Sequence, residues 1–309
     1  MMQFLIELAL IAAVAQHAPP QGQQTPQQPR QIVNEQADVT VPHPAYPAGT
    51  GPRLLIDEAH ANYHILGDRY APFGALLRND GYRIGASRAP FSAESLAAAD
   101  ILVVANARSA ERGASAFTAA EIAALHAWVE NGGALLLVAD HSPFSDAAAA
   151  LGRAFGIIFR TGYVINPRTR NNDSFRLGAG LSDHVIVRGA GGDPAVDTVR
   201  TFTGSAFEAP SAQPLITLGN GYAIFTPTGS GAQRLADLPQ QSVEGLFQGA
   251  ALTVGRGRIV VIGDGAMLTA QRMEGAPAAA NMDEIGFTSE DNRQFLLNLM
   301  HWLARRPGY

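Results

Sequence analysis

The amino-acid sequence predicts an α/β protein: a doubly wound, mostly parallel sheet that carries a β-rich insertion. Three observations predict it. Short apolar runs without polar alternation, such as residues 101–105 and 134–139, alternate with segments of helical period, the pattern of parallel strands buried on both faces. Several of these runs stop at an acid or an amide, namely Asp57, Asn106, Asp140 and Asp264. The stretch 156–241 breaks the alternation and is rich in Gly, Pro, Asn and Thr.

The elements follow in order. A first strand is expected at 53–56, ending at Asp57. A helix over 70–79 places Phe73, Leu76 and Leu77 on one face and stops at Asp80-Gly81. A second strand is expected at 82–86 and a third at 101–105. Thr118 with Glu121 three residues on is a capping box. The helix it starts runs through Ile122, Leu125, Trp128 and Val129 to a C-cap signal at Asn131-Gly132-Gly133. A fourth strand at 134–139 ends at Asp140-His141, and Ser145 or Asp146 opens the next helix, through Leu151 and Phe155. Right-handed crossovers between such units give a flavodoxin-like layout. The short β-like runs at 185–187, 198–203, 215–218 and 222–225 read as an antiparallel insertion or extension. Strands at 246–254 and 258–262, joined by Gly255-Arg256-Gly257, precede a last amphipathic helix over 289–305, with Phe295, Leu296, Leu299 and Trp302 on one face.

The N-terminus reads separately. Residues 4–15 are apolar apart from Glu7, too short to span a bilayer. They resemble a signal-peptide core with Ala13-Val14-Ala15 as a cleavage site. The reading is therefore a signal peptide at 1–18, a periplasmic or secreted protein, and no transmembrane anchor. Ten of the thirteen positions from 19 to 31 are Pro or Gln, which cannot bury enough surface to offset ordering entropy. Residues 19–52 are expected to be a disordered linker, and 53–309 a single domain.

Composition excludes several functions. Of the 309 residues 47% are hydrophobic, and the net charge is -5 with no basic block, which argues against a nucleic-acid partner. There is no Cys, so no disulfide, thiolate metal site or thiol nucleophile exists. All 22 basic residues are Arg, which removes a Walker-A lysine and a Schiff base.

In open parallel sheets ligands bind beyond the carboxyl ends of the strands. That places Asp57, Asn106, Asp140 and Asp264 at the candidate site, although Asp suits helix caps and turns equally. The densest polar cluster is Asp57, Glu58, His60, Asn62 and His64. His60 and His64 at a spacing of four share a helix face and are candidate ligands for a divalent metal. Ala61 stands where a zincin helix needs Glu. Asp140 and His141, with Asp57 and Asp264, are the candidate acid–base groups. Asn62, Arg69, Tyr70, Asn106 and Gln248 are candidate contacts to a small-molecule substrate. Ser142 and Ser205 lack the G-x-S-x-G context of a nucleophile, and His184 and His301 read as structural.

Four segments carry a family resemblance: 127–137 followed by Asp140-His141; Asp183-His184-Val185-Ile186-Val187-Arg188-Gly189; 255–264; and 292–303 with His301-Trp302. Together they resemble the class I glutamine amidotransferase-like superfamily, nearest its trehalose-utilisation (ThuA-like) branch. Val185 stands where that branch has Pro. The resemblance implies a flavodoxin-like sheet with its site at Asp140-His141 and a carbohydrate-related ligand. Amidotransferases place a Cys on the elbow after that strand, and this chain has none, so thiol-dependent glutamine hydrolysis is excluded. Two functions follow as expectations. One is an exported hydrolase or carbohydrate-processing enzyme using Asp/His acid–base or metal-assisted chemistry. The other is a non-catalytic ligand- or partner-binding module of the cell envelope.

Overall fold

Five parallel strands lie side by side in the order Gly257–Ile262, Ala134–Val138, Ile101–Ala105, Arg53–Asp57, Arg83–Ser87. They form one half of a twelve-stranded mixed sheet in the computed structural model, which describes residues 30–169, 173–227, 237–274 and 284–309. The other half is largely antiparallel. Phe247–Val254 pairs with Gly257–Ile262 on one side and Gln213–Thr217 on the other, and the sheet continues through Gly180–Leu181 and Asp173–Leu177 to Thr198–Thr201. The architecture is mixed α/β with a large mixed sheet and few helices. Four helices exceed two turns among the described residues: Ala71–Asn79, Ala119–Glu130, Phe144–Ala154 and Asn292–Leu303.

Neighbouring residues of the parallel strands enter different cores, because side chains alternate across a strand. Leu54, Ile56, Val103, Leu136 and Val260 pack with Phe73, Leu77, Phe295 and Leu299 of the first and last helices. Leu102, Val104, Leu135, Leu137 and Val261 pack with Leu125, Val129 and Leu151 of the other two. Burying each such side chain stabilises by about 1.5–3 kcal/mol. That is why these strands read as continuous apolar runs. The capping box forms as expected: Thr118 accepts from the Glu121 N–H, and Glu121 accepts from the Thr118 N–H and hydroxyl.

Two stretches differ from the sequence expectation. Residues Val185–Arg188 form a helical turn rather than a strand. The His184 ring accepts the Ile186 N–H at 3.2 Å, and Asn298 donates to the Ile186 carbonyl at 3.0 Å. A local cap and a bond from the last helix thus satisfy the backbone and override β-propensity. Residues 30–52, expected within the linker, are tied down. Arg30–Val33 pairs antiparallel with Ala270–Glu274, and the Ala45 N–H donates to Asp80 Oδ1 at 2.7 Å. The signal-peptide segment and the Pro/Gln run up to residue 29 lie outside the described residues. No helix among the described residues is long and apolar enough to cross a membrane.

Candidate functional site

The sheet brings the four polar strand ends together. Asp57, Asn106, Asp140 and Asp264 sit at the carboxyl ends of adjacent parallel strands, all at least nine-tenths buried. They divide into two groups with different partners.

Asp57 belongs to the first. Its two oxygens each lie 2.9 Å from His60 Nδ1, and Asn62 donates to Oδ2 at 3.0 Å. The other ring nitrogen, His60 Nε2, is 2.9 Å from Glu121 Oε1. The rings of Phe91 and Phe117 flank the imidazole at 4.5 and 4.6 Å. Burial opposes a charged His60, but Asp57 and Glu121 outweigh it and raise its pKa. Burial likewise opposes a charged Glu121, while Thr118 and His60 bring its pKa down to about 2. This carboxylate–imidazole–carboxylate chain links a strand end to a helix N-terminus. The sequence did not single out Glu121, because the capping box already accounts for it.

The second group is centred on Asn106 and Asp140. The Asn106 side chain accepts the Asp140 N–H at 2.9 Å and faces His64 Nδ1 at 3.2 Å. Asp140 accepts the N–H groups of His141 at 2.7 Å and Gly265 at 3.0 Å. His64 stacks on Tyr70 with ring centroids 4.8 Å apart. Burial, then the charges of Arg69 and His141, hold His64 neutral with a pKa of about 3. Burial and the Asp140 charge push Asp264 up to about 8, against the backbone N–H groups of Phe202, Ala266 and Met267. Gly265 is required here: a Cβ would stand 2.6 Å from His64 Cε1 and 2.8 Å from Asn106 Nδ2.

The metal expectation for His60 and His64 meets a geometric obstacle. Both His60 nitrogens are taken by carboxylates, and His64 Nδ1 is taken by Asn106. No group of three or more His, Asp or Glu side chains among the described residues is arranged to hold a metal. Of the candidate substrate contacts, Asn62, Asn106 and Gln248 are buried and bonded inward, Gln248 Nε2 to the Thr203 carbonyl at 2.5 Å. Tyr70 is fully buried, its hydroxyl 3.5 Å from the Gly265 carbonyl. Ser205 donates to the Ala139 carbonyl at 2.6 Å, and Ser142 Oγ accepts the Gly162 N–H at 2.8 Å.

Over Asp140 lies a strip of rings, partly exposed at Tyr63, His141 and Tyr163 and buried at Phe144. Tyr63 lies 5.5 Å from Phe144, Phe144 lies 5.8 Å from His141, and His141 stacks on Tyr163 at 4.2 Å. The guanidinium of Arg69 sits 4.4 Å above Tyr63 and that of Arg108 at 5.9 Å. The His141 side chain keeps 30% exposure, and its Nε2 is 3.9 Å from Asp140 Oδ1. Sequence reading found His141 and Arg69 but missed Tyr63, Tyr163 and Arg108, which no motif marks. Backbone strain collects nearby. Ala61, Asn106 and Thr203 have φ of +48°, +50° and +142°, costly above all for the β-branched Thr203.

Residues 70–280 match the profile of a family described as a domain of unknown function, DUF4350. No curated protein matches in sequence. Among solved structures, the mmIFT52 N-terminal domain is similar at TM-score 0.58 and 17% identity, over 81% of this chain and 96% of that one. That likeness is one of fold. Weaker similarity extends to cytoplasmic protein STM1381 from Salmonella typhimurium LT2 (TM-score 0.47, 13% identity, 81% and 98% covered). A ThuA-like protein from Bacteroides uniformis ATCC 8492 is similar at TM-score 0.40 and 12% identity, with 85% and 93% covered.

Proposed function

The chain belongs to the DUF4350 family, and on that premise we propose that it is an exported ligand-binding domain. It takes a small polar ligand, a carbohydrate or another hydroxylated ring, on the aromatic strip at the carboxyl ends of the parallel strands. Its scaffold is read as an amidotransferase-like, doubly wound half-sheet without the thiol nucleophile. The apolar segment 4–15 and the Pro/Gln run after it support export.

One observation carries the reading. The buried polar groups Asp57, His60, Asn62, Asn106 and Asp264 are bonded to one another or to backbone, whereas Tyr63, His141 and Tyr163 present partly exposed ring surface. Groups fixed in this way hold a shape, and aromatic faces with a few polar edges recognise hydroxylated rings. The strained backbone at Asn106 and Thr203 lies where such a site would be built.

The test is a thermal-shift screen of sugars and polyols against residues 30–309, followed by calorimetry on hits. Tyr163→Ala is expected to weaken binding about tenfold, equivalent to about 1.4 kcal/mol, with the far-ultraviolet dichroism of the parent. A hit whose affinity is unchanged in both Tyr163→Ala and His141→Ala would defeat the reading. A hydrolase using Asp140 and His141 is the second reading, supported by their 3.9 Å separation and the exposure of the imidazole. Turnover of a bound ligand that His141→Ala abolishes while binding persists would favour it.

A further inference from the structure

Arg108 is exposed, yet it is held in place. Its Nε donates to the Ala61 carbonyl at 2.9 Å, and its guanidinium lies over the Tyr63 ring at 5.9 Å. Ala61 has φ +48°, a conformation uncommon for alanine. Holding a surface arginine costs side-chain entropy. The bond through Nε leaves both terminal nitrogens of the fork without a partner carboxylate among the described residues. Arg69, over the same ring at 4.4 Å, is already paired with Asp68 at 3.2 Å. The rim thus brings two guanidinium groups, of Arg69 and Arg108, to one ring.

We propose that the ligand of this strip carries an anionic group, which the terminal nitrogens of Arg108 receive while a ring of the ligand lies against His141 and Tyr163. The inference rests on the ligand-binding reading above and adds charge selectivity to it. A guanidinium pinned by Nε and by a ring face presents two parallel N–H groups, the arrangement that pairs with a carboxylate or a phosphate. Asp140 beneath the strip opposes an anion, so the anionic group is expected at the Arg108 end and not over Asp140.

The experiment is calorimetric titration of residues 30–309 with glucuronate, glucose 6-phosphate and glucose at low and moderate salt. At least one acid is expected to bind about tenfold or more tightly than glucose, with the preference falling as salt rises. Whichever acid binds better separates a carboxylate from a phosphate ligand. Arg108→Gln is expected to erase the preference, and Arg108→Lys to restore part of it. Arg108 is exposed, so both variants are expected to keep the parent's melting temperature, which is measured alongside. Equal affinity for glucose and both acids, or a preference that survives Arg108→Gln, overturns the proposal. If neutral ligands bind the strip and neither acid does, the anion inference falls and the binding reading stands. If no ligand in the wider screen binds, both fall.

Discussion

His60 lies between two carboxylates, 2.9 Å from each. A ring protonated at both nitrogens donates to each carboxylate, which is the form that Asp57 and Glu121 favour. Replacing it with Ala would leave Asp57 and Glu121 facing each other in a nearly dry site. Breaking a buried pair in this way costs about 3–5 kcal/mol. A urea midpoint lowered correspondingly in His60→Ala is the expected result, and a near-neutral effect would refute the role. The cluster around Asp57 was legible in the sequence as a dense polar run after a strand. Its distant partner was not, because Glu121 lies 61 residues beyond His60 and already satisfied a local capping rule. Tyr163 and Tyr63 were illegible for a related reason: Tyr163 opens a strand of only three residues and Tyr63 lies in a loop, so neither carries a periodic signal, and only the folded chain stacks one on His141 and places the other beside Phe144.

The parallel strands were readable because burial on both faces demands continuous apolar runs. The antiparallel half was read as a β-rich insertion or extension on the same sheet, but the pairing of its strands could not be read from pattern. Gln213–Thr217 meets Phe247–Val254 through register shifts between Pro214 and Ile216 and between Ile216 and Thr217. Long-range pairing with bulges leaves no period to follow. The turn after Gly257–Ile262 shows how closely the elements converge. Its Gly265 N–H donates to Asp140, and its α-carbon approaches His64 and Asn106 too closely for a side chain. Gly265→Ala would force two buried polar groups apart, at a cost of about 1–3 kcal/mol. A melting temperature within error of the parent would show that the turn has more room than its contacts imply. Ligand affinity should fall with it, because Asn106 holds the Asp140 N–H and Asp140 in turn holds the N–H of His141.

Across the whole molecule, the buried titrating groups predict a stability plateau bounded on both sides. On the acid side, His64 is kept neutral with a folded pKa of about 3 against 6.5 unfolded, so its contribution is present above 6.5 and lost as pH falls toward 3. Glu121, depressed to about 2 from 4.5, adds a loss between those values. On the alkaline side, Asp264 is raised above its ordinary 3.8 by burial and by Asp140, so folding is increasingly disfavoured as pH rises from there to about 8. His60 is raised above 6.5, and its contribution is lost as pH climbs through the folded value. Between about 4 and 6.5 the His64 and Asp264 slopes oppose each other, since one group would gain a proton on unfolding and the other would lose one. Urea midpoints measured from pH 3 to pH 9 should therefore be level in that interval and fall on both sides. Asp264→Asn should be less stable throughout, because one acceptor for the Phe202 or Ala266 N–H is lost. It should also be flatter above pH 6.5, because a titrating group has been removed. A parent profile still rising above pH 7, or an alkaline limb unchanged in Asp264→Asn, would mean that Asp264 is ionised in the fold. The three N–H groups around it would then dominate over burial and the neighbouring charge.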